Sequence, residues 1–156
     1  MPRRPSFTFD ITGIDGLVEQ LAQFGSKTTA KRILRGSMNK AGTQLAKAAR
    51  RNVPRDTGTL KKSITKSVRT KGASMVAVIG PDPSKSGTDE HGNRRLPNSY
   101  AHLVEYGHRD ADTGRDIPGA RFIGKARDQE GPKVSGTFQS EVGQRISKEL
   151  AKGRKR

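Results

Sequence analysis

Cysteine and tryptophan are absent from the 156 residues, and five phenylalanines with two tyrosines are all the aromatic rings present. Without thiols there is no disulfide framework, no cysteine-ligated zinc and no thiol nucleophile. So few rings leave no stacking platform for single-stranded nucleic acid. No apolar run approaches the ~18 residues of a membrane-spanning helix. Behind Met1 stand Pro2-Arg3-Arg4-Pro5 and then alternating polar and aromatic residues; the lack of an apolar stretch there predicts no secretory signal. The expectation is a protein made in the cytosol that stays soluble or joins something there. Also missing are a Walker-type phosphate loop, a Gly-x-Gly-x-x-Gly turn and a Gly-x-Ser-x-Gly elbow. No cofactor is therefore expected, and no module for reading base sequence is recognisable.

Acidic residues are scarce too. Asp and Glu number 15 against 31 Lys and Arg, a formal net charge of +16. The excess is concentrated: from Lys27 to Lys71 there are 14 basic residues and a single acid, Asp56. Lys152, Arg154, Lys155 and Arg156 add a basic C-terminus. Such a field attracts polyanions, DNA above all, or faces an acidic protein partner. Hydrophobic residues make up 30%. That suffices for a core beneath roughly a hundred residues, with the rest in polar loops or tails.

Phe7, Phe9 and Ile11 alternate with Ser6, Thr8 and Asp10, which predicts a short strand within residues 1–12, an N-terminal arm or edge strand. Ile14, Leu17, Val18, Leu21 and Phe24 fall on one face of a helix stopped by Gly25. Ser26 is placed to cap a second, long helix with the apolar stripe Ile33, Leu34, Met38, Ala41, Leu45, Ala48 and Ala49. Pro54 ends that helix near Asn52. Leu60 and Ile64 predict a helical turn or the entry to a strand, and residues 64–70 and 74–80 a hairpin around Lys71-Gly72-Ala73. Residues 81–99 read as a polar loop, 100–106 as a short helix closed by Gly107, and 107–118 as a second polar loop. Val134, Phe138, Val142, Ile146 and Leu150 recur every fourth residue on a long helix with Pro132 in its first turn. A separate helix over 122–130 precedes it, kinked at Gly131-Pro132. Residues 153–156 read as a frayed basic tail. The sum is an α+β fold, one domain over residues 13–152: a small antiparallel sheet packed by a long basic helix and a long C-terminal helix.

Two clusters invite a chemical reading. Asp56-Thr57-Gly58 matches the aspartic-protease triplet, but that chemistry needs paired carboxylates on loops with apolar flanks. Here the flanks are Arg55 and Thr59-Leu60-Lys61-Lys62, and a tight turn after a proline-stopped helix accounts for the same residues. His102, Glu105 and His108 stand three apart, whereas a metal-binding helix presents ligands at i and i+4. The plainer expectation is an ion pair from Glu105 to a neighbouring arginine, with surface histidines. No metal site is expected.

Three segments in order carry a resemblance. Pro54-Arg55-Asp56-Thr57-Gly58-Thr59-Leu60-Lys61-Lys62-Ser63-Ile64 follows the long Ala-rich helix. Tyr100-Ala101-His102-Leu103-Val104-Glu105-Tyr106-Gly107 comes later, and Ile117-Pro118-Gly119-Ala120-Arg121-Phe122-Ile123-Gly124-Lys125-Ala126 opens the last helix. Across residues 27–150 the chain resembles the neck or tail-completion (head–tail joining) proteins of long-tailed bacteriophages. The resemblance implies a structural virion subunit and no enzyme. It implies a sixfold ring of copies in the virion neck, assembled in the host cytoplasm and away from membranes. Such a ring meets other neck proteins and the tail tube or tail terminator, with genomic DNA passing through its bore.

Pro54, Thr57, Gly58, Leu60, Ile64, Tyr100, Ala101, Val104, Glu105, Tyr106, Gly107 and Phe122 then form a folding signature. Thr57-Gly58 would turn the chain, Leu60 and Ile64 enter the core, and Tyr100, Val104 and Tyr106 pack the short helix onto the sheet. Lys61, Lys62, Lys66 and Arg69, alternating through the turn and first hairpin strand, would line a channel or meet acidic partners. The rival readings are a small basic architectural DNA-binding protein, and a hydrolase built on Asp56 or on the His102, Glu105, His108 set.

Overall fold

The structure, a computed structural model, describes residues 5–153 except Phe24, Asp56, Thr57, Asp89 and Glu90. Strand β1 (Phe7–Thr12) leads to helix α1 (Ile14–Ala22), which buries Ile14, Val18 and Leu21. Helix α2 (Lys27–Asn52) starts where expected: the Ser26 hydroxyl accepts the Thr29 amide at 3.1 Å. It ends before Val53-Pro54, since proline can neither donate a helical hydrogen bond nor let its predecessor stay helical. The expected stripe, Ile33 to Ala49, is buried. A single turn of helix, α3 (Thr59–Ser63), feeds the hairpin of β2 (Ile64–Lys71) and β3 (Ser74–Pro81).

The main sheet has the order β1-β3-β2, antiparallel throughout. Phe7, Phe9 and Ile11 of β1, Met75, Ala77 and Ile79 of β3, and Ile64 and Val68 of β2 share one face in this register. That face meets α2, through residues such as Leu34, Met38 and Leu45, in one core. Residues of opposite parity, among them Thr8, Asp10, Ser67, Arg69, Val76 and Val78, lie on the other face. The α+β architecture is as expected from the sequence.

The two polar loops are more structured than expected. Residues 81–99 contain the ribbon β4 (Gly87–Thr88) and β5 (Arg94–Arg95). Helix α4 (Pro97–Tyr106) begins three residues early, because proline at a first helical position gives up only an amide that has no partner there. The second loop is a hairpin, β6 (Gly107–Arg109) with β7 (Asp116–Pro118). Its tip is tied by the Asp110 carboxylate, which accepts the amides of Asp112 (2.8 Å) and Thr113 (3.0 Å). Those two amides, Thr113 first, hold the Asp110 carboxyl below its ordinary pKa.

The expected break at Gly131-Pro132 is not a boundary. Helix α5 runs unbroken from Phe122 to Gly153, with Pro132 inside it rather than in the first turn. Packing along α2 outweighs the one backbone hydrogen bond that proline removes. The stripe of α5 thins toward its end: Val134 and Phe138 are buried, Val142 and Ile146 half-buried, and Leu150 is exposed. The frayed tail expected over 153–156 falls, beyond Gly153, outside the described residues, as does Phe24 of the first helical stripe.

Candidate assembly surfaces

Glu105 is the best-organised polar residue of the molecule. It is only 5% exposed, and it sits at the end of α4. One carboxylate oxygen accepts the Ile123 amide at 2.8 Å and the other the Gly124 amide at 2.9 Å. These are second and third positions of α5, whose Arg121 carbonyl takes the Lys125 amide at 2.7 Å. A carboxylate there satisfies two orphan donors and opposes the positive end of the helix dipole. The expected ion pair from Glu105 to an arginine is thus corrected: its partners are backbone amides of another helix.

The backbone joins in. Glu105 and Val104 carbonyls accept the amides of Arg121 (3.1 Å) and Ala120 (2.8 Å). Gly107 leaves α4 at φ 85°, and a Cβ there would meet the Ile117 carbonyl oxygen at 2.6 Å. Only glycine fits.

A second set of contacts pairs three of the cations of α2. Arg32 meets Glu149 (2.9 Å), Lys40 meets Glu141 (3.9 Å) and Arg51 meets Glu130 (3.2 Å). Gln44 adds bonds to Glu130 and to Thr137, and Asn52 one to Gln129. The partners step along α2 and α5 in opposite directions by equal amounts, so the helices are antiparallel in one register. Sequence reading missed this ladder, although its signal was present. Arg32, Lys40 and Arg51 lie eight and eleven residues apart, and Glu149, Glu141 and Glu130 repeat those intervals in reverse.

The four candidate channel or partner residues do not share one surface. Lys61 and Lys62 are exposed on α3, and Arg69 is exposed on the open face of the sheet. Lys66 lies on the opposite, helix-facing side, its stem against Gly42 of α2, where a Cβ would meet the Lys66 Cδ at 3.3 Å. Of the signature residues, Ile64, Ala101 and Phe122 are fully buried, Leu60 nearly so, and Tyr100 and Val104 pack half-buried against the core. Gly58 caps α3 at φ 76°, Pro54 is exposed, and Thr57 with Asp56 lies outside the described residues. Tyr106 departs from expectation. It is 69% exposed rather than packed onto the sheet, and Ile117 of β7 is exposed as well.

The outer edges of the sheet are unequal. The Ser63 carbonyl accepts the Asp82 amide, so odd-numbered residues of β2 pair with β3 and even-numbered ones turn outward. Arg50 covers one end of that edge, donating Nε and Nη2 to the Ile64 carbonyl at 3.0 and 2.6 Å. Arg35 reaches the Val68 carbonyl at 3.3 Å. On β1 the outward groups belong to Thr8, Asp10 and Thr12, and no hydrogen bond from the described residues reaches them.

His102 is half-buried and His108 exposed, and no three His, Asp or Glu side chains among the described residues gather to hold a metal ion. No helix among the described residues is long and apolar enough to cross a membrane. An open groove of about 660 Å³ lies at the Pro5–Pro81 end of the sheet, and its charged lining is Lys66, Asp82 and Lys85.

Comparison with known families decides the classification. The family model described as "Bacteriophage HK97-gp10, putative tail-component" matches residues 15–107. The chain belongs to the HK97-gp10-like family. The matched span runs from α1 to Gly107 and takes in two of the three signature segments, those at Pro54–Ile64 and Tyr100–Gly107. No curated protein and no solved structure matches the chain. Membership in the HK97-gp10-like family makes the chain a phage tail component, a structural part of the virion and not a class of enzyme.

Proposed function

We propose that this protein is a ring-forming neck or tail-completion subunit that joins the phage tail to the head, with genomic DNA crossing the bore. The family match over residues 15–107 carries the reading. It is supported by a fold whose ordered polar contacts brace helices against each other, while charge and apolar side chains such as Tyr106 and Ile117 stand exposed for neighbours. Residues 13–152 serve as the body of the subunit. Its partners are further copies, other neck proteins and the tail tube or terminator. The deciding experiment is a phage with this gene interrupted: filled heads and finished tails accumulate separately, and added purified protein joins them into infectious particles. Joined but non-infectious particles would place the protein elsewhere in the tail.

For the basic residues outside the ladder, the reading is contact with protein partners rather than a grip on DNA, which would hinder a moving genome. Lys61, Lys62 and Arg69 are exposed on two different surfaces rather than along one track. Gel-shift titration across salt tests this, since phosphate binding weakens steeply with ionic strength. Failure to shift duplex DNA even at low salt is the expected result; a strong, salt-sensitive shift favours the architectural DNA-binding alternative.

A further inference from the structure

The two edges of the sheet carry opposite charge. Residues 5–26, which hold β1 and α1, contain Asp10, Asp15 and Glu19 and no basic residue. Residues 57–81, which hold α3, β2 and β3, contain Lys61, Lys62, Lys66, Arg69 and Lys71 and no acid. The strand between the edges, β3, is uncharged. In a chain of net +16, an acidic edge facing away from a basic one is a polar arrangement.

From this we infer that copies of the chain join head to tail through their sheets, the β1 edge of one pairing in parallel with the β2 edge of the next. The inference rests on the ring reading above and gives that ring its seam. Three observations carry it.

First, both edges offer backbone groups. On β1 these belong to Thr8, Asp10 and Thr12. On β2 the outward amides of Lys66, Val68 and Thr70 and the carbonyls of Lys66 and Thr70 accept or donate no hydrogen bond among the described residues. Arg50 closes β2 at its Ile64 end, and Arg35 already takes one bond of the Val68 carbonyl.

Second, the parities agree. β1 and β2 both run antiparallel to β3, hence parallel to each other. In a parallel pair the outward residue of one strand bonds to the two residues flanking its opposite. Asp10 set opposite Ser67 would bond to Lys66 and Val68, and both side chains then lie on the open face. The helix layer therefore stays on one side across the seam. An antiparallel β1–β2 junction would turn that layer over.

Third, charge selects the pairing. Asp10 comes diagonally beside Arg69, within reach across neighbouring strands. Two-fold pairing of β1 with β1 would oppose Asp10 to Asp10, and of β2 with β2 would crowd Lys66, Arg69 and Lys71. Like charges across strands are destabilising. A head-to-tail interface closes into a ring when its rotation closes.

The test uses the full chain and two proline variants. Asp10→Pro and Thr70→Pro each remove an outward amide that the seam uses, leaving the internal ladders their donors. Circular dichroism confirms that each variant is folded. Analytical ultracentrifugation at low salt should show rings for the native chain and monomers for each variant alone. Mixed, they should give dimers and nothing larger, because each retains one good edge of opposite kind.

A variant dimerising by itself points to two-fold pairing and overturns the inference. Rings persisting in both variants keep the ring reading and overturn only this seam. A native chain that stays monomeric overturns both. Should a proline variant fail to fold, Asp10→Arg and Arg69→Glu serve instead. Each should weaken assembly at least tenfold, and the two together should restore it; additive weakening would sink the proposal.

Discussion

Replacing Glu105 with alanine would leave the Ile123 and Gly124 amides, one of them in a buried residue, without their acceptor. A loss of about 2 kcal/mol in folding stability is expected, measured by denaturant unfolding. Glu105→Gln, which keeps one acceptor oxygen but turns an amino group toward the other amide, should fall between. Arg121, the residue just before α5, offers the opposite effect. It holds φ 50°, a region that costs an L side chain on the order of 1 kcal/mol. Arg121→Gly should therefore raise the melting temperature by a few degrees, its exposed 3.8 Å contact to Asp128 counting for little. Sequence could show Glu105 inside a signature, but not its role. The amides it binds belong to residues eighteen and nineteen positions later, and nothing local connects them.

At the level of elements, the α2–α5 ladder has an acid-sensitive side. The Gln44 amide first, then Lys133 and Arg51, lower the Glu130 pKa, and the Lys152 ammonium and Arg32 lower that of Glu149. A carboxylate whose pKa falls on folding stabilises above its unfolded value, near 4.3. That contribution disappears as pH drops through the lowered folded values. Thermal melts should thus hold steady from pH 7 to about 5 and decline below about 4, less so in a Glu130→Gln, Glu149→Gln double variant.

The boundaries of α2 were legible because the chain carries its own signals there: Ser26 as a cap, Pro54 as a stop, the apolar stripe between them. The ribbons β4–β5 and β6–β7 were not. Strands of two and three residues are too short for a period, and they exist through pairing and through ties such as Asp110. The single α5 was hidden for the reverse reason: Pro132 is a local stop signal that contact with α2 overrides.

Taken whole, the molecule keeps its charge in separate territories. Three α2 cations are matched by α5 glutamates, while the β2 edge stays basic and the β1 edge acidic. Raising salt from about 0.05 to 0.5 M shortens electrostatic reach to a few ångströms. Self-association should then fall by an order of magnitude or more while the melting temperature of the subunit barely moves, read by sedimentation and calorimetry on the same samples. Composition revealed the excess of positive charge, but its partition needed the register of strands and helices. The Glu105 contact has one more outcome. The β6–β7 tip is exposed at Arg115, an open target for trypsin, yet the pieces on either side remain fastened by that carboxylate and by the length of α5 on α2. A nicked chain should elute as one undivided species and fall into two fragments only in denaturant.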